Sequence, residues 1–342
     1  MNIYEMQQEY DSLLHYHCLK NCLIQGLTYY GVLNPHLYID VSCKLSLKEN
    51  KLSGYISNHS VGSNKLWEIF KEFLTIEAFE EDITAEQYVS NYLKEDKVII
   101  VATDTYYLPY QNSFNKYHGS HAIILTREYE DAFQIIDWYE PHYFKGLISK
   151  DILIQARNSK NPFNENPFSG GEIGREVYIL ERFKQEEYNA QQIFAYGVKK
   201  IYEEFYKGNK SLISSKKLYG IEALKKIIEY IPKMLTQEGK IISNAKKIHN
   251  DLFLIFIARK LQAYYFMKSE NVYSSETLVQ INEIYKTLRD EYERLLIMII
   301  RMSIKVEDVL LNKISIVLQA ISQLEESLGQ HLEKLYMELE RD

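Results

Sequence analysis

Cysteine is scarce in this chain, with three residues among 342, all between positions 18 and 43. So few, and an odd number, exclude the disulfide framework of a small secreted domain, and no second Cys/His pair follows at zinc-binding spacing. Neither a metal nor another cofactor is expected, and a reducing cytoplasm is the expected setting. Proline is also rare, at six residues, and after about residue 186 only Pro232 remains. No apolar run reaches the roughly 20 residues that span a bilayer. The N-terminus carries Glu5, Glu9 and Asp11 where a secretory signal would place a basic stretch before an apolar one. Basic charge is not in excess: 47 acidic against 40 basic residues give a net charge of −7. A field that would hold nucleic acid or an anionic membrane is therefore lacking.

What is present is an ordinary globular composition, 46% hydrophobic and 25% charged, with length for about two domains of roughly 150 residues. The texture changes near residue 185. Residues 1–184 carry 17 basic and 25 acidic side chains, and residues 185–342 carry 23 and 22. The expected division is 1–184 and 185–342, the second part all helix.

In the first part, residues 13–31 read as a helix closed by Gly31 and the stop signal Asn34-Pro35, and Leu66–Phe79 as a second helix. Three short runs rich in β-branched residues read as buried strands: 97–102, 121–126 and 132–137. The polar stretch 127–131 has hairpin length, which makes the last two strands antiparallel neighbours. Asn158–Gly174, with Pro162, Pro167, Gly170 and Gly171, reads as a loop, either a lid or a surface excursion before a strand at Glu176–Leu180. In the second part Ile299, Met302, Val306, Leu310, Ile314, Val317, Ile321, Leu324, Leu328 and Leu335 form a stripe at three- and four-residue steps. One long terminal helix is predicted, packed in a bundle or paired in a homodimer.

The chemistry-bearing run is His15-Tyr16-His17-Cys18, leading into a helix. A thiol at a helix start is placed to ionise, because the unpaired N–H groups of the first turn and the helix dipole favour a thiolate. A cysteine nucleophile needs a base, and the base an orienting group. His121 opens one predicted strand and Asp137 closes its antiparallel neighbour, which brings the two together. Cys22, four residues after Cys18, reads as a small buried hydrophobe. Asp137 has the competing role of capping the turn at 138–141. His118 is a substrate contact or a second base, and Tyr106, Tyr107 and Tyr110 either line an acyl channel or pack locally.

At these residues the chain resembles the papain-like superfamily, in particular the N-terminal domain of the butirosin biosynthesis protein H family, and more distantly the double-glycine leader peptidases. The resemblance covers roughly residues 13–182. Its carriers are His17-Cys18 with the helix ending Tyr29-Tyr30-Gly31, then Asp104-Thr105-Tyr106-Tyr107-Leu108-Pro109-Tyr110, then His118-Gly119-Ser120-His121-Ala122-Ile123-Ile124-Leu125, then Ile136-Asp137. It implies an α+β, papain-like catalytic domain with an antiparallel sheet and a Cys18–His121–Asp137 triad. It also implies transfer of an acyl or aminoacyl group from a carrier-protein thioester to an amine in natural-product assembly. The leader peptidases carry a Gln shortly before the cysteine, whereas residues 12–17 here are Ser-Leu-Leu-His-Tyr-His. The oxyanion role would then fall to the Cys18 N–H with His15 or His17, and His118 and Tyr107 would lie near the substrate. The alternatives are a peptidase or amidase, a thioesterase with water as acceptor, and a non-catalytic helical scaffold.

Overall fold

A computed structural model describes residues 18–48, 51–56, 74–77, 82–139, 142–164, 169–182, 189–207 and 217–341. His15 and His17 lie outside the described residues. The fold is α+β, with an antiparallel sheet and a C-terminal helical region. The chain divides into two units, 1–39 with 62–187 and 40–61 with 188–342. Among the described residues no helix is long and apolar enough to cross a membrane.

The first unit is built on six strands: β3 (Leu74–Glu77), β4 (Val98–Asp104), β5 (Ser120–Glu128), β6 (Ala132–Tyr139), β7 (His142–Ser149) and β8 (Val177–Leu180), in the order β3-β8-β4-β5-β6-β7. Every pairing is antiparallel. Leu74–Glu77, within the predicted helix 66–79, is a strand because it pairs along its whole length with β8; residues 66–73 lie outside the described residues. Central β4 reads as an unbroken apolar run because both of its faces are covered. On one face Ile99, Val101, Ile123, Leu125 and Ile135 pack with Val89 of a helix at Asp82–Lys94 and with Leu153 and Ala156 of another at Lys150–Arg157. On the other face lies α1 (Cys18–Tyr29), which comes close at Gly26: a Cβ there would sit 2.7 Å from Leu180 Cδ1.

The end of α1 is fastened to the sheet by one side chain. Gly31, at φ 78°, closes the helix, and the Tyr30 hydroxyl accepts from Val98 N at 2.8 Å and donates to Leu180 O at 2.8 Å. Burial pushes the phenol up to about 12, so it remains a donor. Tyr30→Phe leaves the Val98 N–H without its acceptor and should lower stability by about 1–3 kcal/mol. An unchanged urea midpoint would show that the bridge contributes nothing.

The second unit is helical but not all-α. It contains helices at Ala190–Ile201, Gly220–Leu235, Ile241–Ser269, Glu276–Ile304 and Asp308–Leu339, and a π-helical turn at Tyr202–Lys207. It also contains a three-stranded sheet, in which β1 (Cys43–Lys48) lies between β2 (Lys51–Ile56) and β9 (Lys217–Tyr219). A single cut at 184/185 therefore does not describe the division. Residues 40–61 join the later half because β1 pairs with β9, with Ser46 opposite Tyr219. The segment is also held by an Asp40–Lys200 ion pair at 2.5 Å and by Gln262 Nε2 on Val41 O at 3.0 Å.

The predicted single terminal helix is two helices, broken at residues 305–307, where Lys305 is extended. The stripe is spent within the unit. Ile299, Met302, Leu310, Ile314, Val317, Ile321, Leu328 and Leu335 are buried there, Leu324 is half-buried, and Val306 is exposed in the break.

Candidate active site

Cys18 is the first residue of α1, where backbone N–H groups have no intrahelical partner, and the apolar face behind it (Leu19, Cys22, Leu23, Leu27) is buried. Antiparallel pairing of β5 with β6, with Ile124 opposite Ile136, sets the start of β5 beside the end of β6. His121 and Asp137 meet there: Nε2 lies 2.7 Å from Asp137 Oδ1, and the two side chains are 4% and 1% exposed. With Nε2 engaged, Nδ1 is the nitrogen left for Cys18, which is hydrogen-bonded to the His121 side chain and to the backbone of Leu19 and Ala122. The structure thus brings Cys18, His121 and Asp137 together in one chain of contacts.

The electrostatics favour a thiolate–imidazolium pair. Burial alone would raise the Cys18 thiol, but the hydrogen bond and charge of His121 outweigh it and hold the pKa below its ordinary 9.0. Burial would lower the His121 imidazole, yet the charge and hydrogen bond of Asp137, followed by those of Cys18, raise it from 6.5 to about 10. The other two thiols go the opposite way. Burial, with the charges of Asp137 and Cys18, pushes Cys22 well above 9.0, and burial pushes Cys43 to about 11. Cys22 donates to Ala122 O at 3.3 Å. Cys18 is the thiol poised to react.

Three contributors to this arrangement, Gln111, Phe144 and Tyr178, have no sequence signal of their own, and they join Tyr110. Asp137 Oδ2 accepts from the Tyr110 hydroxyl at 3.0 Å and from Gln111 Nε2 at 2.7 Å, and the Tyr110 ring stacks on Phe144 at 4.0 Å. Tyr110 is thus a second-row support for the carboxylate, not part of an open channel. Tyr178 of β8, half-buried, is close enough for a Cys18 thiolate to raise its phenol, after the larger effects of burial and Glu176.

A second His–carboxylate pair occupies the same end of the sheet. Asp104 closes β4 opposite Ser120, and its neighbour Thr103 lies opposite His121. Asp104 is fully buried and accepts from Tyr106 N and Gly119 N, each at 3.0 Å, from Ser159 Oγ at 2.5 Å, and from His118 Nδ1 at 2.7 Å. Burial opposes its charge, but these bonds win and hold the carboxyl below its ordinary range. His118 stacks on Tyr106 at 4.2 Å. Tyr107 meets both rings edge-on and packs against the core of the unit. The predicted loop 158–174 is anchored at this point, since Ser159 and Asn161 are buried.

Among the described residues no group of three or more His, Cys, Asp or Glu side chains is arranged to hold a metal ion. Comparison of the chain with family models and with curated proteins finds no match.

Proposed function

We propose that the chain is a papain-like cysteine acyltransferase, which moves an acyl group from a carrier-protein thioester to an amine through an acyl-Cys18 intermediate. The observation that carries this reading is the Cys18–His121–Asp137 chain, in which a half-buried thiol is lowered and a buried imidazole raised beside a buried carboxylate. The Cys18 thiolate attacks the donor carbonyl, the C–S bond of the donor breaks, and the departing thiolate takes the proton from His121. Thioester exchange onto cysteine is nearly isoenergetic, and the product is still reactive toward amines. Asp137 holds the imidazole in the required tautomer throughout.

Iodoacetamide alkylation followed residue by residue across pH tests the nucleophile. Cys18 should label below pH 9.0, with the rate falling as pH drops through its lowered pKa, while Cys22 and Cys43 stay unlabelled at neutral pH. His121→Ala removes the group that outweighs burial, so Cys18 labelling should move to above pH 9.0. Equal labelling of all three thiols, or a profile indifferent to His121, would leave the acyltransferase reading without its nucleophile. With a reactive Cys18 established, formation of acyl-Cys18 from a small acyl thioester but not from the corresponding peptide amide separates thioester chemistry from peptide chemistry.

A further inference from the structure

The Asp104–His118 pair duplicates the imidazole–carboxylate geometry of His121–Asp137, at the same 2.7 Å, with one difference. The His118 side chain is 20% exposed, whereas His121 is almost completely enclosed. Nδ1 faces Asp104, so Nε2 is the ring nitrogen turned away from the carboxylate, on the other edge of a ring that Tyr106 stacks against. Three residues of chain span at most about 10 Å, so the His118 backbone lies within that reach of His121 at the end of the sheet where Asp104 pairs with Ser120 and Thr103 with His121.

Amide formation gives such a group something to do. An alkylamine arrives protonated at neutral pH, since a lysine-like amine titrates near about 10.4. It must lose two protons, one before it can attack and one from the tetrahedral adduct. His121 has a single nitrogen facing Cys18 and takes one of them. A second base must be near, oriented, and open to water so that it can pass its proton on.

We propose that His118, oriented by Asp104, takes the first proton from the incoming ammonium, which makes this end of the sheet a subsite for a primary alkylamine. The proposal rests on the acyl-transfer reading of Cys18. The ammonium N–H gives its proton to His118 Nε2, producing a free amine and an imidazolium that keeps its Nδ1–H on Asp104. The amine nitrogen attacks the acyl-Cys18 carbonyl, and the C–N bond forms. The second proton passes to His121 Nδ1, and the C–S bond breaks with its electron pair left on the Cys18 sulfur. His118 then releases its proton to water.

The test uses the full chain acylated at Cys18 by the N-acetylcysteamine thioester of acetate, with transfer followed by mass spectrometry. The acceptors are n-butylamine, which arrives as a cation, and hydroxylamine, which arrives neutral. His118→Asn keeps a donor to Asp104 but has no basic nitrogen. It should slow transfer to n-butylamine by about 10²-fold or more, leave the hydroxylamine reaction close to wild type, and regain butylamine transfer with added imidazole. A purely structural fastener would slow both acceptors alike, and that result, or no effect on either, overturns the proposal while leaving acyl-Cys18 chemistry standing. Failure of wild-type Cys18 to take the acetyl group overturns the acyl-transfer reading and this proposal together.

Discussion

Asp137→Asn should slow acylation of Cys18 by about 10²-fold or more while leaving the first unit folded. The substitution removes a charge but not an acceptor, because the Asn carbonyl can still take the His121 Nε2–H. Its new N–H₂ would face the Gln111 amide, which now donates to Asp137. Gln111 Oε1 has no hydrogen-bond partner among the described residues, so a flip of that amide turns a donor into the acceptor the variant needs. The chemistry is not spared in the same way. The Asp137 charge is the largest effect raising His121 against its burial, so its loss lowers the imidazole, and imidazolium disappears at a lower pH than in the wild type. Cys18 then loses the positive neighbour that offsets its own burial, and its alkylation profile moves toward higher pH. Asp137→Ala is a harsher change, because it leaves Tyr110 and Gln111 facing a hole beside a buried imidazole. Acylation and alkylation that both match wild type in Asp137→Asn would remove Asp137 from the mechanism.

Much of this site was legible in the sequence because its members depend on short-range rules. Cys18 follows from a helix start, and the meeting of His121 with Asp137 follows from two apolar runs separated by a hairpin-length stretch. Gln111 was not legible: a lone Gln in a Tyr-rich loop carries no pattern, and its role comes from the turn through residues 105–111 that brings it over β6. The Asp104–His118 pair was half legible, since both residues lie in polar and aromatic runs beside predicted strands, but their pairing depends on the register that sets Asp104 opposite Ser120. The fold was least legible where pairing is remote. Leu74–Glu77 has helical spacing but becomes a strand through β8, about a hundred residues later. Residues 40–61 belong to the second unit through β9, and no local signal announces that. The break at 305–307 contains neither Gly nor Pro, and the apolar stripe runs through it. Its one local mark is acidic, Glu307 and Asp308, residues that favour a helix N-terminus.

Arg259→Met should destabilise the second unit by about 3–5 kcal/mol, the cost of leaving a buried charge without its partner. Arg259 and Glu325 are both fully buried and joined by two bonds of 2.8 Å, Nε to Oε1 and Nη2 to Oε2. Glu325 also accepts from Tyr206 at 2.7 Å and Tyr292 at 2.9 Å. The guanidinium lies 4.1 Å over the Phe205 ring, and its Nη1 donates to Gln262 at 2.6 Å. Gln262 in turn holds Val41 O, so the network links the inserted segment, the π-helical turn and three long helices. Replacing the pair together, with Arg259→Met and Glu325→Leu, removes the isolated charge but strands the hydroxyls of Tyr206 and Tyr292, each at a cost of about 1–3 kcal/mol. The double variant should therefore recover only part of the loss, and adding Tyr206→Phe and Tyr292→Phe should recover more. Cys43 supplies the readout, because it is buried in β1 of this unit and its pKa of about 11 keeps it silent while folded. Pulsed iodoacetamide labelling of Cys43 across urea measures unfolding of the second unit, and Cys18 labelled in the same sample reports on the first. A Cys43 midpoint in Arg259→Met that shifts by less than the ~1 kcal/mol of an exposed ion pair would show that the network does not hold the segment in place.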